Sequence, residues 1–255
     1  MDEASRLAGA AAADLPAVVG GTEGRSAAMS SNDKRRERMF ASIRAGLEAY
    51  APTNRQRAID ARMKSPPAPL VPQRAQKPLA EQKALFRGFL QGQSATVIEV
   101  ASKAEIPKAV AGYLRANNLP LRVRAGADSY LRELDWTSEP ALERMEGRAI
   151  GSDEVGLSRV TAAIAETGTL VLASGADNPV TITFLPETHI AVVEDKAIVG
   201  GFEGVWEKLR ARFGKGAMSR TVNFVSGPSR TADIGGQLVM GAHGPRRLCV
   251  ILVAE

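Results

Sequence analysis

The chain has one cysteine, two histidines and few aromatic residues, and each shortage removes a class of function. A single thiol, Cys249, excludes a disulfide framework and any iron–sulfur cluster or cysteine-built zinc site held by this chain alone. Cys249 lies in the run Leu248-Cys249-Val250-Ile251-Leu252-Val253, which reads as a buried strand with an inert thiol. No stretch reaches the ~18–20 consecutive apolar residues of a membrane span, so a cytoplasmic protein is expected. A glycine-rich dinucleotide fingerprint and a P-loop are both missing, which argues against a self-contained NAD enzyme or ATPase. Aromatic residues make up 5% of the chain, and no nucleic-acid-binding signature accompanies the net charge of +5. That charge is local. Residues 33 to 87 carry 13 Lys/Arg against 5 Asp/Glu, whereas residues 88 to 255 carry 18 against 19. A solvated basic arm accounts for it better than a nucleic-acid face.

What is present divides the chain in three. Residues 1 to 28 are rich in Ala and Gly without periodicity and read as disordered, with Met29 as a candidate natural start. Residues 29 to 78 read as a basic helical arm and a proline-rich linker. Met39, Phe40, Ile43 and Leu47 fall on one helical face, Pro52 ends that helix, and SPPAPLVPQRAQKP (65–78) is semi-extended. Residues 79 to 255 read as one compact α/β domain. It opens with a helix from Leu79 to Gly92, a strand Ala95–Val100, a helix started by a Ser102/Glu105 capping box, and a strand Leu119–Arg124. This alternation predicts a parallel sheet with right-handed crossovers. Residues 128 to 147 read as partly helical. Strands are expected at 160–166, 169–173, 180–184, 189–193, 221–225 and 247–253, with a helix at about 203–213.

Polar turns interrupt these apolar runs. Ser226-Gly227-Pro228-Ser229-Arg230-Thr231-Ala232-Asp233 follows the strand Thr221–Val225. Its guanidinium can grip a carboxylate or phosphate bidentately, with Ser226, Ser229, Thr231 and the Gly227 turn supplying donors to the same anion and Asp233 alongside. Thr167, Gly168 and Thr169 form a second such turn after Glu166. His189 heads a strand, and His243 and Gly244 lie in a Gly-rich loop that lets a ligand approach closely. Glu166 and His243 are the candidate acid–base groups; the other named residues are candidate ligand-binding groups, and no metal site is expected. At each turn the alternative is a self-satisfied surface loop.

The runs AIAETGTLVL, LPETHIAVV, SGPSRTADI and GAHGPRRLCVILV, in this order over about residues 149 to 255, resemble the LUD-domain family, most closely its lactate utilization protein C branch. One departure is Gly235-Gly236, which follows Asp233-Ile234 where the family usually carries a Glu. The resemblance implies a three-layer α/β/α fold of the NagB/RpiA/CoA-transferase type with a mostly parallel or mixed sheet. Ligands in such sheets sit beyond the carboxyl ends of strands, where both hydroxyl-rich turns are expected. The resemblance further implies a part in oxidation of L-lactate to pyruvate beside two cysteine-rich iron–sulfur proteins. This chain would then be a non-redox component that binds a small carboxylate or phosphate, with the iron–sulfur clusters in its partners and no cofactor of its own. A stand-alone enzyme on a phosphorylated sugar or acyl-CoA, a sensor of a carboxylate metabolite, and a homo-oligomer all stay open.

Overall fold

A computed structural model of the chain describes residues 31–48, 52–65, 68–234 and 237–254. The expectations for residues 1 to 28, Met29 and Gly235-Gly236 lie outside the described residues. The chain divides into two units, Met1–Ala68 and Pro69–Glu255. The first holds helices α1 (Ser31–Glu48) and α2 (Pro52–Lys64). Pro52 opens a second helix, where its missing N–H is not needed. Met39, Phe40, Ile43 and Leu47 are exposed on α1.

In the second unit, α3 (Leu79–Gly92), β1 (Thr96–Val100), α4 (Ile106–Ala116), β2 (Arg122–Ala125), α5 (Ser129–Arg132), β3 (Glu143–Glu146) and β4 (Val155–Arg159) come first. Next are β5 (Ala162–Ile164), β6 (Thr169–Ala173), α6 (Val180–Phe184), β7 (Thr188–Glu194), β8 (Ile198–Val199) and α7 (Phe202–Phe213). The chain closes with β9 (Val222–Val225), β10 (Arg230–Ile234), β11 (Gln237–Met240) and β12 (Arg247–Val253). Six strands form one parallel sheet in the order β1-β12-β7-β4-β2-β3. A four-stranded sheet runs β8-β5-β6-β9, and β10 and β11 form a separate antiparallel hairpin.

Period-two alternation assigns every buried strand face. On β12, Cys249, Ile251 and Val253 join Ile190 and Val192 of β7 beneath α4, whose Ile106, Val110 and Leu114 complete that cluster. Leu248, Val250 and Leu252 point the other way, to Phe86 and Leu90 of α3 and Leu170 and Leu172 of β6. The far side of the smaller sheet, Ala162, Ile164, Val171 and Ala173, packs on Val205 and Leu209 of α7. The result is a parallel central sheet flanked by helices, an α/β fold with the smaller sheet interposed on one face.

Several local expectations are corrected. Residues 180–184, expected as a strand, form α6. Pro179 presets the first turn, and the sheet positions beside β4 are already held by β2 and β7. Ser102 makes no side-chain cap. Lys103–Glu105 form a 3-10 turn instead, and α4 starts at Ile106 with Pro107 in its first turn. The strand expected over 160–166 shortens to β5 (Ala162–Ile164), because the chain leaves the parallel sheet after Arg159 and enters the smaller one only at Ala162. Residues 128 to 147 contain strand β3 as well as short helical turns. The stretch after Ser229, expected as a polar turn, begins a strand at Arg230. Among the described residues no helix is long and apolar enough to cross a membrane.

Candidate functional site

A cavity of about 270 Å³ lies at the amino ends of β7 and β12, beside the end of β9. Into it converge His189 from β7, Ser226, Gly227, Ser229, Arg230 and Thr231 from the β9–β10 segment, and His243 and Gly244 from the loop before β12. Phe184, Phe224 and Leu248 supply its apolar wall. The loop is built for this position. Gly227 has φ +142°, and a Cβ there would sit 2.9 Å from Gln93 Cβ just past α3. Gln93 Oε1 accepts a hydrogen bond from Arg230 Nη2. Ser229 knits the two loops: its N–H donates to the Pro245 carbonyl at 2.8 Å, and its hydroxyl oxygen accepts from the His243 N–H at 3.2 Å. Arg230 and His243 are exposed, so the cationic group stands at the rim.

The inner end has a different character. His189 is 1% exposed, and its Nε2 lies 2.6 Å from the hydroxyl oxygen of Ser158 on β4. Burial pushes its pKa down to about 4, so the ring is neutral at pH 7. Its Nδ1 is buried with no hydrogen-bond partner among the described residues, as is the hydroxyl of Thr183, which also lines the cavity. Neither Thr183 nor Ser158 stands out in the sequence. Thr183 sits in a run that reads as strand, and Ser158 stands beside Arg159 in the otherwise apolar stretch VGLSRV.

Glu166, Thr167, Gly168 and Thr169 do not line this cavity. They form the turn of the antiparallel β5–β6 pair, and Gly168 there has φ +63° against Phe89 of α3. Glu166 is 6% exposed and accepts from Arg74 Nε at 3.1 Å, so a carboxylate ion-paired outside the cavity is not placed to be its acid–base group. The turn still reaches the site through a hydroxyl chain: Thr167 Oγ1 is 2.7 Å from Thr169 Oγ1, which is 2.7 Å from Ser226 Oγ. Asp233 lies on β10, with its side chain outside the described residues.

A larger cleft of about 750 Å³ occupies the opposite, carboxyl end of the parallel sheet. It lies at the switch point, where the chain steps out from β2 to β3 and returns past β2 to β4. Each of its carboxylates is ion-paired, and Lys208 Nζ donates to the Lys196 carbonyl at 2.6 Å. Arg159 pairs with Asp128 at 3.2 Å and Glu194 at 2.8 Å, Lys196 reaches Glu194 at 2.6 Å, and Arg212 pairs with Asp177. An unmade buried hydrogen bond is costly, whereas a paired charge awaits nothing. That accounting favours the smaller cavity as the ligand site despite its size. The expectation that the hydroxyl-rich turns mark the carboxyl ends of the sheet is thereby corrected: they belong to the smaller sheet and the β9–β10 segment, and the cavity faces the amino ends. Among the described residues no group of three or more His, Cys, Asp or Glu could hold a metal ion.

Fold and site together define an α/β protein whose parallel sheet carries a small cavity, cationic at its rim and neutral within. The family model of the LUD domain matches residues 86–253, and the chain belongs to that family. Lactate utilization protein C of Halalkalibacterium halodurans is 35% identical over 114 residues, 44% of this chain and 49% of that protein. The protein of the same name from Geobacillus kaustophilus is 33% identical over 139 residues, 51% of this chain and 58% of that one. The Bacillus subtilis protein of that name is 31% identical over 122 residues, 48% and 50% of the two chains. The chain thus spans about half the length of the curated relatives it matches. A crystal structure of a DUF162 family protein from Deinococcus radiodurans is similar with a TM-score of 0.54 and 26% identity, covering 70% of this chain and 99% of that one.

Proposed function

We propose that this chain is a non-redox component of a lactate-utilisation system and that it holds a small carboxylate, L-lactate or pyruvate, in the cavity at the amino ends of β7 and β12. The observation that carries this reading is the convergence of Arg230, four hydroxyl-bearing residues and both histidines of the chain on one concavity. Arg230 anchors the carboxylate, and Ser226, Ser229 and Thr231 donate to it. At about 270 Å³ the space is at or below the small end of ligand pockets, which suits a small acid rather than an acyl-CoA or a nucleotide. The names of the relatives supply the choice of acid. With Cys249 its one thiol, and that thiol buried, the chain leaves electron transfer to iron–sulfur partner proteins.

Titration calorimetry of the purified chain with L-lactate and pyruvate tests the reading. Arg230→Lys keeps the charge but loses the planar fork, so it should weaken binding by roughly ten- to hundredfold, equivalent to a lost charge-assisted hydrogen bond of about 1.5–3 kcal/mol. Its melting temperature should stay close to wild type, since the side chain is exposed. Unchanged affinity in Arg230→Lys, or no binding of either acid to the wild type, would sink the proposal.

A further inference from the structure

Resting on that reading, we infer that His189 and Thr183 form the specificity end of the cavity, a pair of neutral donors that reads an uncharged oxygen, hydroxyl or carbonyl, beside the carboxylate of the ligand. Buried polar side chains in folded proteins nearly always have a hydrogen-bond partner, and one that lacks it calls for an explanation such as strain, a catalytic role or a bound molecule. His189 Nδ1 and Thr183 Oγ1 are two such atoms, on residues that line the same small cavity.

The chemistry of the missing partner follows from the groups already in place. Ser158 Oγ lies 2.6 Å from His189 Nε2. A serine proton needs an acceptor, and the Nε2 lone pair is the one beside it. With that proton donated to Nε2, the neutral imidazole carries its own proton on Nδ1, which is then a donor. Thr183 adds a second hydroxyl proton. A donor pair without charge suits an uncharged oxygen. A second anionic oxygen here would lose its hydration with no cation to replace it, so a dianion such as phosphate fits this end poorly. The anionic group belongs at the exposed rim with Arg230.

The placement of the pair is encoded in the backbone. Gly156 of β4 is the register partner of His189. A Cβ on Gly156 would stand 2.2 Å from the Ile182 carbonyl oxygen, so only glycine lets α6 pack this closely on the sheet next to His189. That contact sets Thr183, the next residue, at the cavity. Short 2-hydroxy or 2-oxo carboxylates therefore satisfy both ends, whereas the unsubstituted acid leaves the buried donors unpaired.

Titration of the full chain with pyruvate, L-lactate and propionate tests this. The wild type should prefer pyruvate or L-lactate to propionate by at least about tenfold. Thr183→Val keeps the side-chain shape and removes the hydroxyl. It should shrink that preference severalfold, leave propionate affinity unchanged, and leave the melting temperature equal or higher, because an unpaired buried hydroxyl has become a methyl group. His189→Phe should narrow the preference as well. If the wild type binds all three acids equally and Arg230→Lys weakens all three, the inference is overturned while the proposed function stands. If Thr183→Val weakens all three acids alike, or lowers the melting temperature with the preference intact, Thr183 is structural and the inference is likewise overturned. If none of the acids binds the wild type, the proposed function fails and takes this inference with it.

Discussion

Arg159→Ala removes the guanidinium that holds two buried carboxylates at the carboxyl end of the sheet, Asp128 at 3.2 Å and Glu194 at 2.8 Å. Their side chains are 10% and 5% exposed, so neither is rescued fully by water. Removing one partner of a buried ion pair costs about 3–5 kcal/mol. Lys196 still reaches Glu194 at 2.6 Å, and Arg159 is itself 30% exposed, which places the loss at the lower end, about 3 kcal/mol. For a domain of this size that lowers the melting temperature by about 6–12 °C. The effect of pH has a definite sign. Burial pushes the Glu194 pKa up, but hydrogen bonds from Lys196 and Arg159 outweigh burial and hold it below the usual carboxylate range. A carboxyl depressed in the folded state stabilises it above the unfolded pKa of about 4.3, and the contribution fades as pH falls through the folded value. Melts followed by circular dichroism should therefore show the full deficit at pH 7 and a shrinking one below about pH 4. A variant that melts with the wild type at pH 7, or whose deficit ignores pH, would refute the view that these charges serve the fold, and would reopen the larger cleft as a ligand site.

Two more predictions concern packing. Gly156→Ala places a methyl group 2.2 Å from the Ile182 carbonyl, which should cost about 1–3 kcal/mol and weaken ligand binding by lifting α6, while an unchanged melting curve would contradict that close contact. Cys249 is buried, which pushes its thiol pKa up to about 12, so a thiol reagent should label it only after unfolding, and rapid labelling of the native protein would contradict its place in β12.

The apolar skeleton was legible in the sequence because period-two and helical stripes survive translation into structure: β7, β12, α3 and α7 lie close to where their patterns put them. Residues 180–184 misled because Thr-Ile-Thr-Phe carries strand propensity, whereas the choice of helix was made by a sheet with no vacancy beside β4. The rim of the site could be read from Ser226 to Arg230, since hydroxyls and a guanidinium after a strand are a local signal. Of the inner end only His189 could be named. Ser158 lies 31 residues before it and meets it through the pairing of β4 with β7, and Thr183 is brought to the same place by the packing of α6 on Gly156. Glu166 shows the reverse case, a polar residue in a suggestive turn that folding assigns to Arg74.

The central claim is that a small carboxylate sits in the cavity at the amino ends of β7 and β12. The chain has only two histidines, and both line that cavity. Histidine-selective ¹⁵N spectra of the full chain, recorded as pyruvate or L-lactate is added, test the claim most directly. The account predicts that both imidazoles respond along one saturation curve that matches calorimetry, with the His189 ring remaining neutral and protonated on Nδ1. Saturable binding by calorimetry that leaves both imidazole signals unmoved would contradict it and would place the ligand elsewhere on the protein.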